Sequence, residues 1–124
     1  MARFFLVAGA ASGFLSVALG AFTAHALKQR LDAYSLGVFQ TAVQYQFYHA
    51  LALLAVGQWL LRSASGLIPA AGGAFLFGTV VFCGSLYALA LTGVKILGAI
   101  TPFGGVGFLL GWVLLGVAAL QVKP

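Results

Sequence analysis

Only seven side chains in this sequence carry formal charge, and their spacing constrains the fold more than any other feature. They are Arg3, Lys28, Arg30, Asp32, Arg62, Lys95 and Lys123. The stretches between them, 4–27, 33–61, 63–94 and 96–122, are free of charge. A helix needs about 20 apolar residues to cross roughly 30 Å of hydrocarbon. Each stretch therefore fits one crossing with a turn attached, and none has room for two crossings and a loop. Composition agrees: 63% of the residues are hydrophobic and 6% charged, whereas soluble domains average about 25% charged. Too few polar side chains exist to cover a water-facing surface. The formal charge of +5 raises nucleic acid as a partner, but such binding takes a clustered basic face. Here the cations stand singly or in pairs at the ends of apolar runs, where Lys and Arg anchor helices among headgroups. The expected partner is the lipid bilayer, and nucleic acid is set aside.

Along the chain, helices are expected at about 4–24, 38–61, 70–92 and 102–122. Thr101 reads as an N-cap, with Pro102 at the first helical position, where its missing N–H costs nothing. The short connections make consecutive helices antiparallel neighbours. The expected fold is an all-α integral membrane protein, an antiparallel up-down-up-down bundle of four transmembrane helices in one domain, 1–124. On the first helix Gly9, Gly13, Ser16 and Gly20 form one stripe of small residues, the kind of surface on which another helix approaches closely. Arg3, the apolar run and Ala24-His25-Ala26 imitate a cleavable signal peptide, but the run exceeds a usual signal core and is expected to stay in the mature protein. Cys83, the lone cysteine, sits inside the third run and reads as packing. With four crossings, Arg3, Arg62 and Lys123 share one side of the membrane; Lys28, Arg30 and Lys95 share the other. Three against three gives the positive-inside rule no bias.

Four stretches carry a family likeness. They are Gly20-Ala21-Phe22-Thr23-Ala24-His25-Ala26-Leu27, Phe39-Gln40-Thr41-Ala42-Val43-Gln44-Tyr45-Gln46-Phe47-Tyr48-His49-Ala50-Leu51, Gly84-Ser85-Leu86-Tyr87-Ala88-Leu89-Ala90-Leu91-Thr92-Gly93 and Leu97-Gly98-Ala99-Ile100-Thr101-Pro102-Phe103-Gly104-Gly105. In this order they resemble the domain-of-unknown-function 423 family, which includes transmembrane protein 256, and the likeness spans the whole chain. Thr23 stands where the family pattern has glycine, which bears on local packing. The resemblance implies a small bacterial inner-membrane protein with four helices, and it implies no activity.

Chemistry is confined to few places. At 100° per residue Gln40, Gln44 and Tyr48 fall within about 80° of one another, and Tyr45 and His49 form an adjoining row. Antiparallel packing sets Ser85 and Tyr87 of the third helix near their depth. An intramembrane polar cluster of Gln40, Gln44, Tyr45, Tyr48, His49, Ser85 and Tyr87 is expected in one half of the bundle, with His25 and Thr101 at its interfacial edge. Tyr87 and Ser85 are the expected hydrogen-bond partners of His49. The bland reading is interhelical hydrogen bonding, since amides in hydrocarbon must find partners; the functional one is a polar vestibule or pocket. His25 and His49 are separated by about 15 Å of helix, and no Cys, Asp or Glu accompanies either, so no metal and no cofactor is expected. Asp32, the only acidic side chain, lies in a connection, which leaves no buried acid/base pair; Ser12, Ser16 and Ser85 show no His–Asp relay. No catalytic residue is assigned, and the chain is not expected to be an enzyme. Proton-coupled transport lacks its usual embedded carboxylate. Two functions fit: a structural or accessory membrane component that self-associates as a homo-oligomer or joins a larger membrane complex, or a small passive channel or carrier, as in a dual-topology antiparallel dimer.

Overall fold

Four helical rods account for most of the chain, and the computed structural model describes all residues, Met1–Pro124. Helix α1 is Ala2–His25, α2 is Ala33–Leu60, α3 is Leu67–Thr92 and α4 is Leu97–Leu120. A 3-10 turn, Leu27–Gln29, lies between α1 and α2. Within α3 the stretch Thr79–Cys83 widens to a π-helical turn, where the Thr79 hydroxyl is buried without a hydrogen-bond partner.

All four helices start earlier than expected, α2 and α4 by five residues each. The α2 start moves from 38 to Ala33 because Asp32, in extended conformation, accepts the Ser35 backbone N–H at 2.7 Å. That bond satisfies one of the orphan donors of the first turn. Helix α4 starts at Leu97 because the preceding turn already winds into it: the amides of Leu97, Gly98 and Ala99 bond the carbonyls of Val94, Lys95 and Ile96. Thr101 is consequently no N-cap, and Pro102 lies inside the helix. Its missing N–H leaves the Gly98 carbonyl without an intrahelical partner. At the end of α3, Gly93 adopts φ 73°, the left-handed conformation that closes a helix C-terminus, and its N–H bonds the Leu89 carbonyl at 2.8 Å.

Side-chain pairings set the directions. Between α1 and α2, Leu6 meets Gly57, Gly9 meets Leu54, and Gly20 meets Val43. Between α2 and α3, Phe39 meets Tyr87, Tyr45 meets Phe82, and His49 meets Phe75. Between α3 and α4, Phe75 meets Gly111, Phe82 meets Gly104, and Ser85 meets Thr101. In each pair one number rises as the other falls, so each pair runs antiparallel. Helix α1 rests chiefly on α2, touching α3 where the Phe5 ring covers Gly72. The largest fully buried side chains are Phe75, Leu53, Ile68 and Val56, and Cys83 is buried beside them.

Helices α1, α3 and α4 are long and apolar enough to cross a membrane. Helix α2 is the longest, at 28 residues, yet falls short in apolarity because it carries Gln40, Gln44, Gln46, His49 and Gln58. The spacing of the charges alone did not distinguish it from the other three.

All four small residues of the α1 stripe lie on the α2 side, but they differ in how much they need to be small. A Cβ at Gly9 would stand 2.9 Å from the Ala50 carbonyl oxygen, whereas one at Gly13 would stand 3.8 Å from the Ala50 Cβ. Near Gly20 the closest atom is a Val43 methyl at 3.5 Å, and Ser16 is buried with its hydroxyl donating to the Ser12 carbonyl. At Gly104 an added Cβ would collide with the backbone of Phe82. Gly9→Ala and Gly104→Ala are each expected to destabilise the bundle by about 1–3 kcal/mol, the usual cost of overpacking. Gly13→Ala should be nearly neutral; equal melting of Gly9→Ala and Gly13→Ala in mild detergent would contradict this.

The Ser35 N–H holds the exposed Asp32 carboxyl below its ordinary value. Because the folded-state pKa is depressed, the cap is complete at neutral pH and is lost as pH falls through that pKa. Hydrogen exchange at the first α2 turn should therefore quicken in acid for the wild type. Asp32→Asn, which caps without titrating, should abolish that pH dependence, and Asp32→Ala should quicken exchange at every pH.

Candidate functional site: the polar groups of the second helix

Helix α2 has two faces of different character. Its buried face runs Phe39, Ala42, Gln46, His49, Leu53 and Val56 in steps of three and four. Gln46 and His49 are the two polar interruptions of that seam. The opposite face, with Gln40, Gln44, Phe47, Tyr48, Leu51, Ala55 and Gln58, is exposed along its length.

His49 is 4% exposed and stacks on Phe108, with ring centroids 3.6 Å apart and planes 8° from parallel. The Trp112 indole N–H donates to its Nε2 at 3.0 Å. With Nε2 accepting, a neutral imidazole carries its proton on Nδ1, which donates to the Tyr45 carbonyl at 2.7 Å. Both nitrogens are engaged, and the ring links α2 to α4. The expected partners Tyr87 and Ser85 are not the observed ones. His49 lies level with Phe75, and Ser85 is roughly 15 Å further along α3 at the helical rise per residue.

Gln46, which the sequence reading left out, joins three helices. Its Nε2 donates to the carbonyl and the hydroxyl of Ser12 on α1, at 3.2 and 3.3 Å. Its Oε1 accepts the Tyr87 hydroxyl of α3. The available signal was its place in the buried seam, one-third of a turn away from the angle of Gln40. Trp112 was also missed; an indole N–H well inside an apolar run needs an acceptor, and that need was the signal.

Ser85 donates to the Phe82 carbonyl at 3.0 Å and meets the Thr101 hydroxyl at 2.6 Å, joining α3 to α4. Tyr45 is half-exposed, with its ring 4.9 Å from Phe82. It borders an apolar groove of about 420 Å³ that Phe108 and Trp112 also line.

The expected single cluster is thus divided. Ser85, Tyr87 and His49 serve three separate interhelical contacts inside the bundle. Gln40, Gln44 and Tyr48 share a face, as their angles require, but it is the outer face. Gln44 borders two grooves between α1 and α2, of about 340 and 250 Å³. His25 is the exposed last residue of α1 and stands apart from His49.

An all-helical chain, with three helices apolar enough to cross a membrane and buried amide, imidazole and hydroxyl links between them, is a multi-pass helical membrane protein. Within that class it belongs to the family described as "Protein of unknown function (DUF423)", whose sequence profile matches residues 19–105. It is 44% identical to the UPF0382 membrane protein YwdK of Bacillus subtilis over 121 residues, which cover 96% of this chain and 98% of the relative. It is 43% identical to the UPF0382 inner membrane protein YgdD of Escherichia coli K12 over 121 residues, covering 98% of this chain and 92% of that one. A UPF0382 membrane protein of Staphylococcus epidermidis is 43% identical over 120 residues, 96% of this chain and 97% of the relative. No solved structure matches the chain.

The His49–Trp112 contact is testable by a double-mutant cycle. Trp112→Phe leaves Nε2 without its donor, His49→Phe leaves the indole without its acceptor, and the double variant removes both. A coupling energy of about 0.6–2 kcal/mol is expected, the range of interhelical hydrogen bonds in membranes. Additive effects on unfolding in detergent would show that the bond contributes nothing.

Proposed function

We propose that this protein is a structural or accessory component of the bacterial inner membrane that acts by docking through the outer face of α2. One observation carries the reading: Gln44 is exposed and makes no hydrogen bond within the chain, and if α2 crosses the membrane with its neighbours this amide falls inside the hydrocarbon. At about 1.5 Å per residue it lies roughly 18 Å from Asp32 and roughly 27 Å from Arg62 along the axis. The charged ends are then about 45 Å apart, and a hydrocarbon core of about 30 Å centred between them encloses Gln44 by roughly 10 Å. A carboxamide left unpaired in hydrocarbon costs several kcal/mol, so a partner must cover this face. The name of the E. coli relative supports the inner-membrane placement.

In this reading the protein carries out no catalytic step, and Asp32 serves as the cap of α2. Conduction through a single chain finds less support, because Phe75, Leu53, Ile68 and Val56 fill the interior with almost no exposed surface.

The reading is tested by chemical crosslinking of the tagged chain in intact membranes. A band heavier than 12.8 kDa is expected. Gln44→Leu should weaken the association about 5- to 30-fold, since losing one or two amide bonds costs about 1–2 kcal/mol. A chain that stays single in the membrane, with Gln44→Leu indistinguishable from the wild type, contradicts the proposal.

A further inference from the structure

We infer that the partner covering this face is a second copy of the same chain, lying parallel to the first, with α2 packed on α2 about a two-fold axis along the membrane normal. The inference rests on the reading of the outer α2 face as a docking surface and goes further by fixing partner and geometry.

The exposed face repeats in the way a helix-on-helix seam requires. Gln40, Gln44, Phe47, Leu51, Ala55 and Gln58 are exposed. Successive steps are four, three, four, four and three, the spacing that keeps one stripe of a helix facing a partner helix. The groove that Gln44 borders beside Gly20 and Ala24 gives a partner's side chains room next to the seam.

The amides choose the orientation. In a parallel two-fold pair, every seam residue meets its own counterpart. Gln40 then faces Gln40, Gln44 faces Gln44, and Gln58 faces Gln58. A carboxamide both donates and accepts, so two of them can satisfy each other. Phe47, Leu51 and Ala55 likewise meet apolar partners. No antiparallel register pairs all three glutamines: one that matches Gln40 with Gln58 sets Gln44 level with an apolar stretch, and one that matches Gln40 with Gln44 leaves Gln58 beyond the contact. The first leaves the most deeply placed amide unpaired, and the second leaves the amide at the other end of the seam without a counterpart. An antiparallel dimer is therefore the disfavoured form, although the basic residues are divided equally between the two ends.

The test is site-directed disulfide formation in native membranes, in a Cys83→Ala background, with one new cysteine per chain. Gln44→Cys and Gln40→Cys should each shift the chain to a band of about twice 12.8 kDa on oxidation, reversed by reductant. Val7→Cys, on the exposed side of α1, should stay at the single-chain position. Because a cysteine at 44 also removes the amide, Leu51→Cys supplies a second probe that leaves all seam glutamines in place, and it too should link to itself. Bonds only between a Gln40→Cys chain and a Gln58→Cys chain, with none at 44 or 51, would overturn the parallel geometry while leaving docking intact. Capture of a different protein at 44 and 51 with no self-linked band would overturn the choice of partner in the same way. No bond at any seam position, together with single-step photobleaching of a labelled wild-type chain, would overturn both the inference and the docking reading.

Discussion

Hydrocarbon offers a polar atom nothing to bond to, and the arrangement of this protein follows from where its second helix puts its polar atoms. Two of them point inward and are satisfied by neighbours. Gln46 bonds Ser12 of α1 and Tyr87 of α3, and His49 is held by Trp112 of α4. The hydroxyls of Ser85 and Thr101 do the same between α3 and α4. Each tightly packed pair of helices thus has a polar contact of its own. Such bonds are individually modest in membranes, and their larger effect is on register: sliding α2 by one residue would misplace Gln46 and His49 together.

Between these contacts, packing is by ring on glycine. Phe5 covers Gly72, Phe108 covers Gly78, and Phe75 covers Gly111. Lipid tails are as apolar as leucine, so helices gain nothing by leaving them and cohere instead by close van der Waals fit. A flat ring seated where a Cβ would otherwise stand gives that fit. His49 takes part in it as well, since its ring lies against Phe108 while its edge bonds the indole. One residue therefore supplies both kinds of cohesion at the centre of the bundle.

The helical membrane class was legible from seven charges because charge is the one property that hydrocarbon does not forgive. Small residues at helical spacing on α1 also leave a visible trace, and of these Gly9 lies hard against the Ala50 carbonyl. Helix starts were harder. Asp32 caps α2 through an Asx geometry that the sequence permits but does not demand, and the turn before α4 winds without a capping side chain, which moved Thr101 and Pro102 into the helix. The polar cluster failed for a different reason. Angles around α2 correctly grouped Gln40, Gln44 and Tyr48, but angle alone does not say which face is buried. Depth reckoned from expected helix ends then set His49 opposite Ser85 when its true neighbour is Phe75. Reading the apolar seam first, Phe39, Ala42, Leu53 and Val56, would have singled out Gln46 and His49 as its interruptions.

The π-helical turn at Thr79–Cys83 makes α3 two helices in rotational terms. A widened turn accommodates an extra residue, so the half before it and the half after it are set at different angles about a common axis. The first half presents Phe75 to His49 and Gly111; the second presents Ser85 to Thr101 and Tyr87 to Gln46. In a plain α-helix these two sets of contacts would be locked in phase by the 3.6-residue period. Here they are uncoupled, so the sequence on either side of the bulge can satisfy its own neighbours. Deleting one residue between Thr79 and Cys83 would return α3 to a plain α-helix and lock its two halves back into a single phase.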